Sequence, residues 1–81
     1  MMNSNEILPQ IVDIMRDLLD DEFIELSPKT TADDVKGWDS VLHINLIVGI
    51  EQRFKIKFKT AELEELKDVG HLVHAIEEKR R

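Results

Sequence analysis

The sequence predicts an all-α bundle with three main helices, a short third helix and a long structured loop after the first. Three segments repeat apolar residues at helical spacing. The one alternating segment, 55–59, has no second strand to pair with. The chain has 81 residues, 42% hydrophobic and 35% charged, which is typical of one small folded domain. We therefore expect a single domain over residues 1–81, with flexible ends at about 1–5 and 79–81.

The first helix is predicted from about Pro9 to Leu19. Its apolar residues share one broad face: Ile7, Leu8, Ile11, Val12, Ile14, Met15, Leu18 and Leu19. Pro9 is favourable only in the first turn of a helix, because it has no N–H to donate. The turn before Pro9 is therefore left open, although Ser4 and Asn5 could cap it.

A long connection runs from Asp20 to Asp39. It contains Pro28, Gly37 and clusters of Asp, Ser and Thr, all of which favour turns. Its apolar residues indicate that it lies against the core: Phe23, Ile24, Leu26 and Val35. A loop of this length in so small a domain usually carries function.

The second helix is predicted from Ser40 to Phe54, and either Asp39 or Ser40 could cap it. Its apolar residues fall at helical spacing: Val41, Ile44, Leu46, Ile47, Val48, Ile50 and Phe54. Gly49 weakens a helix by about 1 kcal/mol relative to alanine. We interpret it as the place where another element approaches closely.

The remainder is predicted as a link and two helices. Residues 55–59 form an extended link with Ile56 and Phe58 turned inward, and a short helix follows over 60–66 with Thr60 as a candidate cap. The last helix is capped by Asp68 and ends in the basic "KRR", which suits a helix C-terminus. Its core-facing residues are Val69, Leu72, Val73 and Ile76.

Composition excludes several classes of function. The chain has no cysteine, hence no disulfide, thiolate ligand or thiol nucleophile of its own. Its net charge of −6 argues against a nucleic-acid partner. The apolar runs are too short for membrane insertion, and the N-terminus lacks a secretion signal, so a cytoplasmic location is expected. Residues 1–36 hold nine acids against three bases, which indicates basic protein partners or, equally, a need for solubility.

The polar residues around Ser40 are a candidate catalytic site. Ser40, His43 and Asp39 could form a nucleophilic set, but one helix surface offers no cleft or oxyanion hole. We expect His43 to be a solvent-exposed helix residue and the chain not to be an enzyme. Trp38 is open to two interpretations: a partner contact, or packing over the first turn of the second helix.

The last helix carries a candidate metal site. His71, His74 and Glu78 lie on one face at i, i+3 and i+7. Such a set is more typical of a solvated face than of a metal site, so no metal is predicted.

The second helix and the loop before it carry a family resemblance. Asp39-Ser40-Val41, with Leu46, Ile50, Glu51 and Phe54 downstream, resembles the Asp-Ser-Leu signature of acyl carrier proteins, with its later Glu and Phe. The segment "LSPKTTADDVKGWDS" resembles the loop of the same family. The resemblance covers nearly the whole chain, and it implies a four-helix bundle of acyl-carrier type.

The resemblance also implies a cofactor and partners. Ser40 would be the attachment point of 4′-phosphopantetheine, transferred from coenzyme A by a phosphopantetheinyl transferase that uses a divalent metal. The thiol of this arm would carry acyl groups as thioesters to acyl-loading and acyl-transfer enzymes. The absence of cysteine agrees with this role, because the thiol for the thioester must then come from an attached group. We expect a monomer.

The chain departs from the fatty-acid-synthesis members of the family, whose second helix carries several acids. Here Val41 replaces the usual Leu, and the face shows Leu42, His43 and Asn45. These departures favour a carrier for a specialised pathway, such as polyketide-like or peptide-like synthesis or modification of a sugar or lipid. The predicted recognition residues are Trp38, Asp39, Val41, Leu42, Asn45 and Glu51. The alternatives are an aminoacyl or peptidyl carrier, and an unmodified interaction subunit with the carrier fold.

Overall fold

Four α-helices make up the architecture of the computed structural model, which describes residues 4–63, 65–66 and 68–80. The elements are α1 (Ser4–Leu19), a 3₁₀ turn (Ala32–Asp34), α2 (Ser40–Phe54), α3 (Thr60–Leu63) and α4 (Val69–Arg80). Helix α1 packs against both α2 and α4. The all-α, four-helix prediction is confirmed. Within the described ranges, no helix is long and apolar enough to cross a membrane.

The core is formed by most of the apolar residues that the helical spacing predicted, but Val41, Ile44 and Val48 of the predicted α2 face are exposed, and Leu42 is buried instead. Its most deeply buried side chains are Ile7, Ile11, Met15, Leu46, Ile50, Phe54, Val69, Leu72 and Ile76. Val35 and Trp38 from the loop and Ile56 from the link complete it. No polar or charged side chain is buried among the described residues, so apolar burial is the main source of stability.

Helix α1 includes the turn before Pro9, which the sequence left open. It starts at Ser4, and Pro9 lies inside it. Proline interrupts a helix because its nitrogen cannot donate to the carbonyl four residues earlier. The first turn nevertheless stays helical, since it places Ile7, which is fully buried, on the same core face as Ile11. Burial of a side chain of this size is worth roughly 1.5–3 kcal/mol, which is comparable to the cost of about 3 kcal/mol for a proline inside a helix.

The loop between α1 and α2 lies against the core, but not through all of its apolar residues. Val35 is buried, whereas Ile24 and Leu26 are half-buried against the core. Phe23 is 82% exposed, so the prediction that it packs inward is wrong. The turn at residues 21–24 directs its backbone toward α1 instead: Arg16 Nε donates to the carbonyl of Ile24 at 2.9 Å.

The middle of this loop is tied to the start of α4. Thr31 and Asp68 form an antiparallel bridge, and the Gly70 N–H donates to the Pro28 carbonyl at 2.8 Å. A Cβ atom at position 70 would lie 2.8 Å from the same carbonyl oxygen, which only glycine avoids. We call this contact between residues 28–31 and 68–70 the loop–α4 junction.

The link after α2 follows the prediction. Lys55 ends the helix in the left-handed conformation, with φ 58°. Ile56 is buried and Phe58 half-buried, so both turn inward as expected. Glu51 fixes the link, because its Oε2 accepts a hydrogen bond from the Phe58 N–H at 2.8 Å.

Helix α3 is shorter than the predicted 60–66, and residue 64 of that range lies outside the described residues. Thr60 is the first residue of the helix rather than its cap. The N-terminal N–H group at Lys59 is satisfied by Glu62, whose Oε1 accepts from it at 2.8 Å. Four residues make only about one turn, so the helix depends on such local bonds.

Helix α4 begins with the predicted cap. Asp68 Oδ1 accepts from the His71 N–H at 2.8 Å. Residues 1–3 and 81 of the expected flexible ends lie outside the described residues. The rest of those ends is helical, because Ser4 begins α1 and Arg80 closes α4. Arg80 also donates from Nη1 to the Phe54 carbonyl at 3.0 Å.

Glu62 joins α3 to α4, and its carboxyl should titrate below the ordinary range. Its Oε1 accepts from Lys79 Nζ at 2.7 Å and from the Lys59 N–H, and these bonds lower the pKa of Glu62 in that order. The stabilisation is therefore complete above the unfolded-state pKa and is lost as pH falls through the lower folded-state pKa. We expect Lys79→Met to raise the Glu62 pKa toward its ordinary value.

An NMR titration of the Glu62 side-chain carboxyl carbon measures this change. Lys57→Met is the matched control, because Lys57 is an exposed lysine of the neighbouring link. A Glu62 pKa that is the same in the wild type and in Lys79→Met would contradict the contact.

Candidate functional site

Ser40 is the first residue of α2, and its side chain is exposed. The sequence left open whether Asp39 or Ser40 caps the helix; the cap is Asp39. Its Oδ1 accepts from the Leu42 N–H at 2.8 Å, and its backbone is extended, with φ −104° and ψ −172°. The Ser40 hydroxyl makes no hydrogen bond with the rest of the described chain, so it is available for chemistry.

The start of α2 favours an anion bound through Ser40. The first N–H groups of any helix have no partner within it, and Asp39 takes only that of Leu42. The positive end of the helix dipole adds to this. The first turn contains no acidic residue of its own. An anionic group on the Ser40 oxygen would therefore lie next to free N–H donors.

Trp38 and His43 form a hydrogen-bonded pair beside this serine. Trp38 Nε1 donates to His43 Nδ1 at 3.2 Å, and the ring planes are inclined by 24° with centroids 6.1 Å apart. Trp38 is only 9% exposed, so of its two interpretations the structure supports packing. His43 is half-buried, which corrects the expectation of a solvent-exposed residue. This pair could not be predicted from helical spacing, because Trp38 precedes the helix.

These residues do not form a catalytic triad. Asp39 uses its carboxylate to cap α2, and His43 accepts from Trp38 rather than from Ser40. A base must be within hydrogen-bond reach of the nucleophile and be oriented by the acid, and neither contact is present here.

An open groove of about 480 Å³ runs beside Ser40. It lies between the 3₁₀ turn and the first turns of α2, and it is lined by Ala32, Trp38, Asp39, Ser40, His43 and Ile44. Ala32, Trp38 and Ile44 give it apolar walls. The hydroxyl of Ser40 therefore lies at the edge of a surface that can hold an extended, partly apolar chain.

The outward face of α2 carries an apolar stripe. Val41, Ile44 and Val48 are 67%, 62% and 44% exposed, and they lie at helical spacing. We call these three residues the α2 stripe. Asn45 is exposed beside it and is uncharged. Three exposed β-branched side chains in a row on a small protein are typical of an interaction surface.

Three of the predicted recognition residues have structural roles that limit their contact with partners. Leu42 is 8% exposed and Trp38 9%, and both belong to the core. Glu51 is half-buried and holds the link through the Phe58 N–H. Leu42 and Trp38 therefore offer a partner protein little exposed area, and their part in recognition stays a prediction.

The two histidines of α4 contact different acidic residues. His71 Nδ1 lies 2.8 Å from Asp68 Oδ1, at the N-terminal cap. His74 Nε2 lies 3.9 Å from Glu78 Oε1 one turn later. Over residues 4–63, 65–66 and 68–80, no group of three His, Asp or Glu side chains is placed to hold a metal ion.

The helical bundle with an exposed serine at the start of α2 defines a carrier-type protein, and comparisons with known proteins agree. The family described as "Phosphopantetheine attachment site" matches residues 9–76. The solution NMR structure of a holo acyl carrier protein from Geobacter metallireducens is 43% identical, with a TM-score of 0.83, covering 89% of this chain and 83% of that one. No curated protein matches. The chain belongs to the phosphopantetheine attachment-site family.

Membership of this family confirms the acyl-carrier type of bundle and the predicted cofactor, a covalent 4′-phosphopantetheine. A carrier of this kind is not itself a catalyst; it is modified by a phosphopantetheinyl transferase and interacts with acyl-handling enzymes. The residues present fit the group, since an exposed hydroxyl adjoins free N–H donors and an apolar groove. When attached, it supplies the thiol that the chain lacks.

Asp39 is expected to contribute to stability through its cap. Asp39→Ala leaves the Leu42 N–H without its acceptor, and loss of such a cap costs about 1 kcal/mol. Asp39→Asn is the matched variant, because its amide oxygen can accept the same bond. Urea unfolding followed by circular dichroism measures both, and equal midpoints for the alanine variant and the wild type would contradict the role.

Proposed function

We propose that Ser40 carries the 4′-phosphopantetheine arm, and that this single domain is a monomeric cytoplasmic carrier of acyl groups for a specialised biosynthetic pathway. One observation carries the assignment: the Ser40 hydroxyl is exposed and unbonded at the start of a helix that Asp39 caps. The helix start can be modified without loss of its cap, and the modification leaves the core untouched.

The attachment step follows from this position. The Ser40 oxygen attacks the phosphorus nearest to the pantetheine of coenzyme A, the P–O bond to the nucleotide phosphate breaks, and the serine proton passes to the transferase. Within this chain, α2 holds the hydroxyl at its first residue, and the uncapped N–H groups of its first turn would be available to the phosphodiester. The metal and base for the step belong to the transferase.

The direct test is intact mass after incubation with coenzyme A, Mg²⁺ and a broad-specificity phosphopantetheinyl transferase. We expect one phosphopantetheine adduct. A folded protein that gains none would contradict the proposal and favour the unmodified interaction subunit. An aminoacyl or peptidyl carrier would gain the same adduct, and the enzyme that loads the arm would distinguish it.

The α2 stripe supports the proposal that this carrier serves a specialised pathway. Enzymes that bind carriers with several acids on the second helix recognise them by charge, and this binding weakens as the salt concentration rises. Between Ser40 and Gly49, α2 has no acidic or basic side chain other than His43. Its outward surface is instead Val41, Ile44 and Val48. We therefore assign docking to apolar contact, with Asn45 at the edge of the contact.

Ile44→Asp is expected to lower kcat/KM for modification by the transferase about ten-fold, because loss of a central apolar contact costs more than about 1 kcal/mol. The wild-type rate should change less than about two-fold between low and high NaCl, since apolar contacts are not screened. Phe23→Asp is the matched control, because it places the same charge at an exposed apolar residue of the loop between α1 and α2, outside the α2 stripe. A wild-type rate for Ile44→Asp, or a steep fall with salt, would contradict apolar docking.

A further inference from the structure

The groove beside Ser40 has a polar group that the attachment itself does not use. His43 lines this groove together with Trp38 and Ile44. Its Nδ1 accepts the hydrogen bond from Trp38 Nε1, so Nδ1 carries no proton. In a neutral imidazole the other nitrogen then carries it, which makes Nε2 a donor. Nε2 makes no hydrogen bond within the described part of the chain.

Trp38 thus determines which nitrogen of His43 donates. The tryptophan is held by the core at 9% exposure, so the position of its N–H is fixed by packing. A histidine whose ring is oriented by a buried partner presents its second nitrogen in a defined direction. The groove is therefore lined by apolar side chains and by a histidine whose Nε2 is free to donate.

The part of the arm nearest Ser40 has the complementary chemistry. Beyond the phosphate, pantetheine carries a carbon with two methyl groups, then a hydroxyl group and an amide. We propose that the groove binds this part of the arm, with the methyl groups against Trp38 and Ile44 and the amide carbonyl accepting from His43 Nε2. This inference rests on the proposed attachment at Ser40.

Binding in the groove would hold the first part of the arm along the outside of the bundle. The 3₁₀ turn contributes Ala32 to the groove wall, and α2 contributes Ile44. The remainder of the arm, including its thiol, stays free to reach partner enzymes. His43 and Trp38 are then binding and positioning residues for the arm.

The test uses the holo protein, prepared with coenzyme A and the transferase and confirmed by intact mass. Isotope-filtered NOE spectra are recorded with ¹³C,¹⁵N-labelled protein and an unlabelled arm. The single tryptophan makes its indole signals unambiguous. We expect NOEs from the two arm methyl groups to the Trp38 ring and to the Ile44 methyl groups.

Variants of His43 separate its hydrogen bond from simple proximity. His43→Phe removes both the acceptor for Trp38 and the donor to the arm, and we expect loss of the NOEs. His43→Gln can keep both roles and should retain them. His74→Phe, a matched change at an exposed histidine of α4, should leave them unchanged. If His43→Phe does not fold, Ile44→Ala provides the test, because Ile44 is 62% exposed and its removal should weaken the NOEs to Trp38.

The outcomes distinguish this inference from the proposed function. Absence of the adduct would overturn attachment at Ser40 and this inference with it. A holo protein with its adduct but no NOE to Trp38 or Ile44 would overturn the inference alone, as would unchanged NOEs in folded His43→Phe.

Discussion

Ser40→Ala is expected to fold like the wild type and to accept no phosphopantetheine. Folding is preserved because Asp39, not Ser40, provides the cap, and alanine is a good first residue for a helix. The change in unfolding free energy should stay within about 0.5 kcal/mol, as for other surface substitutions. Modification is lost because the hydroxyl is the nucleophile, and the chain has no thiol to replace it.

The measurement is intact mass after the transferase reaction, together with circular dichroism of the unmodified protein. Ser27→Ala is the matched control, since Ser27 is an exposed loop serine that bonds to Thr30. It should gain the full adduct. An adduct on Ser40→Ala would place the arm elsewhere and contradict the assignment.

Phe54→Ala is expected to be the most destabilising single truncation in the core. Phe54 is 1% exposed and the largest of the fully buried side chains. Its truncation leaves a cavity and should cost about 3–5 kcal/mol. A domain of this kind has a total stability of about 5–15 kcal/mol, so a large part of it would be lost.

Phe23→Ala provides a control with identical chemistry. Phe23 is 82% exposed, so its removal should change stability by less than about 0.5 kcal/mol. Urea unfolding followed by Trp38 fluorescence and circular dichroism compares the two variants. Similar midpoints would contradict the placement of Phe54 in the core.

The fold could be predicted from the sequence wherever a helix has one apolar face. Helix α2 has the predicted bounds, Ser40 to Phe54, because its apolar spacing and its cap agree. The start of helix α1 could not be decided from the sequence, because local preference at Pro9 opposes helix while burial of Ile7 favours it. Burial depends on the whole bundle, and so it cannot be estimated from one segment.

The candidate site was predictable only in part. Asp39 and Ser40 were identified because a cap and a motif are local in sequence. The contact of Trp38 with His43 was not, because it depends on how the chain turns into α2. Gly37 makes that turn with φ 92°, and a Cβ there would lie 3.1 Å from Leu19 Cδ2. Such tertiary geometry has no periodic signature.

The loop–α4 junction has a consequence for the order of folding. It joins residues far apart in sequence, Thr31 and Asp68, and so divides the long loop into two shorter segments. Closing the chain between Thr31 and Asp68 costs conformational entropy, and the packing of α4 must offset this cost. The segment that presents Ser40 should therefore acquire its final form late, together with the C-terminal helix.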